Sequence, residues 1–236
     1  LVLAGVGAVV GYAWLQGDRE RLIVRSVVFG GALASMVLHE FCHGIVAYYG
    51  GDESMKWRGM LTLNPLKYMD PIYSIAMPMF FVLMGGIPIM GGRTLVNHHN
   101  LRSAWWQTAV SLAGPGANLV EALFLATLLR EGYIDQFSPL GEGIAYLVVI
   151  QLAMVAFNLI PIPPLDGFGA IAPHLSYETQ AKASALGNMG YFLVLAALWT
   201  VPGLGQAFWD QAHHTATTLG VPEFAQYLGL HFARLR

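Results

Sequence analysis

The chain has 236 residues, 56% of them hydrophobic and only 11% charged, against the roughly 25% charged residues of soluble domains. A mean hydropathy of +0.54 places it among polytopic membrane proteins. A net charge of −2 without a Lys/Arg run excludes a basic field for nucleic acid, and a single cysteine, Cys42, excludes both an internal disulfide and a four-cysteine zinc site.

About six apolar segments follow one another at 1–15, 26–49, 72–90, 104–129, 144–165 and 185–209, several reaching the roughly 20 residues that carry a helix across hydrocarbon. The expectation is an all-α polytopic membrane protein, one membrane-embedded domain over 1–236 with its core at about 26–183. Segment 1–15 opens on Leu1 with neither a basic n-region nor a small-residue cleavage site, so it reads as a membrane helix rather than a signal peptide.

Segment 26–49 contains LHEFCHG, residues 38–44. On a helix His39 and His43 are i and i+4, one turn apart on one face, and can share a zinc ion. Glu40 flanks them without ligating, as H-E-x-x-H chemistry requires: the imidazoles hold the metal and the carboxylate carries a proton from the attacking water to the leaving amine. Chance would explain such a match on a soluble helix, but ionisable groups in a spanning segment cost about 2.5–3.5 kcal/mol each on insertion scales. Three within six residues need a compensating partner, which one zinc ion supplies. Cys42, beside His43, is read as a small buried hydrophobe.

Residues 55–64, MKWRGMLTLN, carry a weak strand signal ahead of Asn64-Pro65, and the expectation is a short β-hairpin at the membrane face near the active site. Segment 72–90 is interrupted by Pro78, Gly85, Gly86 and Pro88, so it either crosses or re-enters, giving roughly five or six transmembrane helices in total. If it re-enters, Lys56, Arg58, Lys67, Arg93 and Arg102 share one face, which the positive-inside rule makes cytoplasmic. Arg19, Arg21 and Arg25 then lie on the opposite side, against that rule.

Segment 104–129 opens on the interfacial anchors Trp105 and Trp106 and contains Gly114-Pro115-Gly116-Ala117-Asn118, with Glu121 three residues on. Segment 144–165 ends in Asn158-Leu-Ile-Pro-Ile-Pro-Pro-Leu-Asp166-Gly167. Its prolines break the helix, which a membrane tolerates beside a hydrated pocket. A catalytic zinc takes three protein ligands and keeps one open position; Asp166 is the candidate third ligand, its other reading being a turn residue. His98, His99, His174, His213, His214 and His231 are set aside as ordinary histidines of polar stretches.

These three ordered motifs, H-E-x-x-H at 39–43, G-P-x-x-N at 114–118 and N-x-x-P-x-x-x-L-D-G at 158–167, resemble those of the site-2 protease family. With Asn64-Pro65, Asp70-Pro71 and Asn97 to Arg102, the chain resembles its compact bacterial branch without PDZ or CBS domains over roughly 30–180. The resemblance implies an intramembrane zinc metalloprotease with zinc on His39, His43 and Asp166, one ion per chain, and Glu40 as catalytic base. It implies cleavage of a transmembrane segment of a membrane-protein substrate, in a bacterial plasma membrane, with the site facing the cytoplasm. Asn118 and Asn158 match asparagines that stabilise the oxyanion or orient substrate, interhelical hydrogen bonding being their other reading. Glu121 departs from the motif: it lines a water path, orients a ligating histidine, or sits protonated in a helix contact. The competing functions are a catalytically inactive scaffold or chaperone for transmembrane helices, which the intact motif argues against, and a metal transporter, which needs no Glu40. Substrate identity and oligomeric state have no signature in the sequence.

Overall fold

Inside hydrocarbon a backbone must satisfy its own polar groups, and an apolar run does so as a helix. The computed structural model describes residues 19–70, 74, 92, 94–187 and 189–234. Segment 1–15, and with almost all of 72–90 the choice between crossing and re-entry, lie outside the described residues.

The first described helix, α1 (Arg19–Gly50), has 32 residues and is about 48 Å long. A four-residue turn, α2 (Ser54–Trp57), follows it. Helix α3 (Ala104–Arg130) starts where the Ser103 hydroxyl accepts the Trp106 N–H. Helix α4 (Pro139–Asn158) starts where Ser138 accepts the Gly141 N–H, with proline in its first turn. Then come α5 (Asp166–Ile171), α6 (Tyr177–Ser184), α7 (Met189–Thr200), α8 (Leu204–Thr218) and α9 (Glu223–Ala233). Among the described residues α1, α3 and α4 are long and apolar enough to cross a membrane, and the bent pair α6 and α7 counts as a fourth span if taken together.

Helices α1, α3 and α4 pack on one another, with α8 and α9 against α4. Within its most apolar window α4 is 78% buried, against 44% for α1 and 33% for α3, so α4 is the core of the bundle while α1 and α3 turn a face outward. Val24 and Val28 of α1, Ala122 and Ala126 of α3 and Val148 and Val149 of α4 close the centre.

Two expectations need correction. Residues 55–64 form no hairpin, and no strand occurs among the described residues. Their backbone groups are spent locally: Arg58 N–H bonds Ser54 O, Met60 N–H bonds Met55 O, and the buried Tyr68 hydroxyl takes the carbonyl of Met60 at 2.6 Å and that of Thr62 at 2.7 Å. Gly59, at φ +70°, turns the chain where a strand would run on. Segment 185–209 is likewise not one span. Pro202 offers no N–H and Gly203 sits at φ +79°, so α7 stops at Thr200 and α8 restarts at Leu204.

The structure also gives one of the arginines at 19, 21 and 25 a structural role. Arg25 is buried, and its guanidinium donates to the carbonyls of Phe232 at 3.0 Å and Arg234 at 2.6 Å. A cation there neutralises the carbonyl end of α9 and ties it to α1, a structural use to which a counting rule for loop charge is blind.

Candidate metal centre

Ser35, His39 and His43 recur at four-residue steps of α1 and are all buried, so one helix face carries them inward. The two imidazoles pack edge to face, with their Nε2 atoms 3.0 Å apart. After α4 ends, residues 159–165 run without helix and the chain restarts at Asp166, the first residue of α5. Asp166 Oδ2 lies 3.2 Å from His39 Nε2, and Oδ1 lies 3.4 Å from His43 Nε2. Helix α5 is fastened to α3 through Thr108, whose hydroxyl donates to the Ala170 carbonyl at 2.7 Å and lies 2.9 Å from His174 Nε2.

The proton count shows what this cluster fits. His43 Nδ1 lies 2.6 Å from the Val110 carbonyl. A carbonyl only accepts, so Nδ1 carries a proton, and in the neutral ring that metal binding requires Nε2 presents a lone pair. His39 Nδ1 bonds the side-chain oxygen of Asn118, leaving its Nε2 in the same state. Two lone pairs and a carboxylate facing one another repel unless a cation lies between them. Tetrahedral zinc ligands at about 2.0–2.1 Å from the metal are roughly 3.3 Å from one another, and the three separations of 3.0, 3.2 and 3.4 Å match that size.

The opposite wall is cut to the same shape. A Cβ on Gly114 of α3 would fall on Nε2 of both histidines, so only glycine leaves the space free. Glu40 is buried in the same cavity, one residue from His39. A Cβ on Gly92 would press within 3.0 Å of its carboxylate oxygen, and the Thr94 hydroxyl bonds its carbonyl at 3.0 Å. The cavity, of about 330 Å³, is also lined by Asn118 and Asn158.

The structure thus brings His39, Glu40, His43, Asp166, Asn118 and Asn158 together. Asn118 has its oxygen on His39 and its amino group on Gln151, whereas Asn158 ends α4 at the cavity. Glu121 stands apart from the donor set, 2.7 Å from the Ser35 hydroxyl. Ser35 and Gln151, both buried, escaped the sequence reading. The signals were a serine one turn before His39 and a glutamine amid the apolar run of α4.

Comparison with known proteins places this site in a family. Over 243 residues, 99% of this chain and 91% of the relative, the chain is 37% identical to Rip2 of Mycolicibacterium smegmatis, which carries the name "putative zinc metalloprotease". It is 36% identical over 239 residues to Rip2 of Mycobacterium tuberculosis, covering 99% of this chain and 92% of that one, under the same name. YwhC of Bacillus subtilis, so named too, is 30% identical over 188 residues, 75% of this chain and 81% of the relative. The chain belongs to the site-2 protease family. It is a zinc metalloprotease of that family, and zinc is the cofactor that its His39, His43 and Asp166 group fits. No family model and no solved structure matches the chain.

Proposed function

We propose that this site-2 protease hydrolyses peptide bonds within or next to transmembrane helices of membrane-protein substrates, in a bacterial plasma membrane and with its site open to the cytoplasm. One observation carries the reading: the His39, Glu40, His43 and Asp166 cavity lies inside a bundle whose α1, α3 and α4 have membrane length.

In this reading His39, His43 and Asp166 hold zinc, which when bound supplies Lewis-acid activation of water and of the scissile carbonyl. Glu40 takes the proton of the attacking water and delivers it to the leaving amine. Asn158, which lines the cavity, meets the oxyanion or the substrate backbone, while the amide of Asn118 is taken up by His39 and Gln151.

A helical substrate hides its scissile carbonyl in its own hydrogen bonds, so it must be unwound before attack. Among the described residues the irregular stretch 94–97 borders the cavity, with Thr94 and Val96 in its wall and Leu95 exposed, and so do Pro164 and Leu165 of 159–165. In 94–97 the Leu95 carbonyl is taken by Arg58 and the Asn97 N–H by Asp52, so an extended substrate pairs with the backbone groups that remain. Scaffolding without cleavage has no observation in its favour, because the donor set and the general base are all in place.

The test is cleavage of a helix-destabilised transmembrane peptide by detergent-purified protein, with zinc counted per chain. Wild type is expected to hold about one zinc and cut. Glu40→Gln is expected to keep its zinc and cut about 10²–10⁴-fold more slowly. Zinc-loaded wild type that cuts none of several such peptides would overturn the protease reading, and zinc binding that survives His39→Ala unchanged would overturn the ligand set.

A further inference from the structure

His39 can serve a metal only if its proton stays on Nδ1, and the atom that decides this lies three side chains away. The Ser35 hydroxyl is 2.8 Å from the Gly31 carbonyl and 2.7 Å from Glu121 Oε1. A carbonyl only accepts, and so does a carboxylate in its ionised form, so the single Ser35 proton is spent in that direction and its oxygen presents a lone pair to Gln151. Gln151 Nε2, 2.8 Å away, must donate to it. That turns Gln151 Oε1 toward Asn118, which must donate with Nδ2. Asn118 Oδ1 is thereby turned to His39 Nδ1, which must carry its proton.

We propose that Ser35, Gln151 and Glu121 are positioning residues that fix the tautomer of His39 through Asn118 and so hold its Nε2 as a metal donor. The inference rests on the reading of His39 as a zinc ligand. An amide is nearly symmetrical in shape, and Asn118 alone could turn over and offer N–H to His39. What forbids the turn is a chain of four bonds that runs in one sense from His39 to the pure acceptors at its far end. Three helices contribute: Ser35 from α1, Asn118 and Glu121 from α3, Gln151 from α4. The relay therefore forms only when the core of the bundle is packed. Gln151, 1% exposed, and Asn118, 3% exposed, are buried, so each lost partner there is costly.

The experiment is zinc affinity by chelator competition, beside the melting temperature of the zinc-free protein, for Gln151→Leu, Ser35→Ala, Ser35→Thr, Glu121→Gln and His39→Ala. Outer partners of a ligating histidine are worth about 10–100-fold in metal affinity, and that loss is expected for Gln151→Leu. Ser35→Ala and Glu121→Gln should lose less, and Ser35→Thr, which keeps the hydroxyl, should restore affinity. The zinc-free melting temperature of Gln151→Leu is expected to fall, since Asn118 and Ser35 each lose a buried partner; a purely structural glutamine would show that fall alone and leave the zinc affinity of the folded protein unchanged.

Zinc affinity of folded Gln151→Leu within about twofold of wild type, against the 10–100-fold expected, would overturn the inference. If Gln151→Leu does not fold, the Ser35 pair decides: Ala weak and Thr restored supports the relay, both equal to wild type refutes it. Zinc binding unchanged in His39→Ala sinks the ligand assignment itself, a result separate from failure of the relay.

Discussion

At the scale of single residues the site depends as much on a missing atom as on those present. Gly114 lies in the middle of α3, where alanine would ordinarily gain about 0.5–1 kcal/mol of helix stability. Its Cβ, however, would occupy the place between His39 Nε2 and His43 Nε2. Gly114→Ala is therefore expected to lose zinc and cleavage together, with the gain in helix stability offset by the displacement of two buried imidazoles. Gly116→Ala is the control, because nothing lies within 4 Å of a Cβ there, and it should keep both. Metal analysis beside thermal melts checks the pair, and zinc retained at full stoichiometry by Gly114→Ala contradicts the placement of the site. The histidines and Glu40 are legible in the sequence because an i, i+4 pair on one helix is a local pattern. The relay behind His39 is not, since Ser35 and Gln151 are 116 residues apart and meet only through packing.

At the scale of elements, the wall of the cavity hangs on one carboxylate beyond the end of α1. Asp52 is fully buried and accepts from Asn97 N–H at 2.7 Å, Ser54 N–H at 3.2 Å and Asn100 Nδ2 at 3.2 Å. Burial pushes its carboxyl up, but the bonds from Ser54, Asn97 and Asn100 outweigh this and hold it below the ordinary range. A carboxyl depressed in the folded state stabilises fully above its unfolded pKa, about 3.9, and loses that contribution as pH falls through the folded value. Hydrogen exchange of residues 94–101, corrected for intrinsic rates, is expected to stay level from neutral pH to about 5 and to rise from about 4 downward. Asp52→Asn should loosen the segment already at neutral pH and flatten the acid response; an unchanged acid response in that variant assigns it to another group. The elements misread from sequence share a physical cause. Apolar or β-branched content at 55–64 and 185–209 outweighed Gly59, Pro202 and Gly203, although backbone punctuation decides whether a run continues.

At the scale of the whole molecule, the bundle must be dry outside and wet inside if it cuts peptide bonds in a membrane. Val120 is 67% exposed and Phe124 61%, one turn apart on the outer face of α3, with Leu119 and Leu123 beside them. Held in water such a face costs about 25 cal/mol per Å², and in hydrocarbon it costs nothing. Met154 of α4, by contrast, lines the same cavity as Glu40 and Asp166. In a Cys42→Ala background, Met154→Cys is therefore expected to react with a membrane-impermeant maleimide in intact membranes, and Val120→Cys to react only after denaturation in detergent. The long apolar segments made the membrane legible from composition alone, because spanning length is a property of the run. Which side of α3 meets lipid was not legible, since both sides of that helix are largely apolar and a few small or polar residues, Ser111, Gly114, Asn118 and Glu121 among them, mark the inner one. The labelling pair separates the two environments directly: a dry Met154→Cys denies the site the water that hydrolysis consumes, and a reactive Val120→Cys in intact membranes puts the outer face of α3 against water instead of lipid.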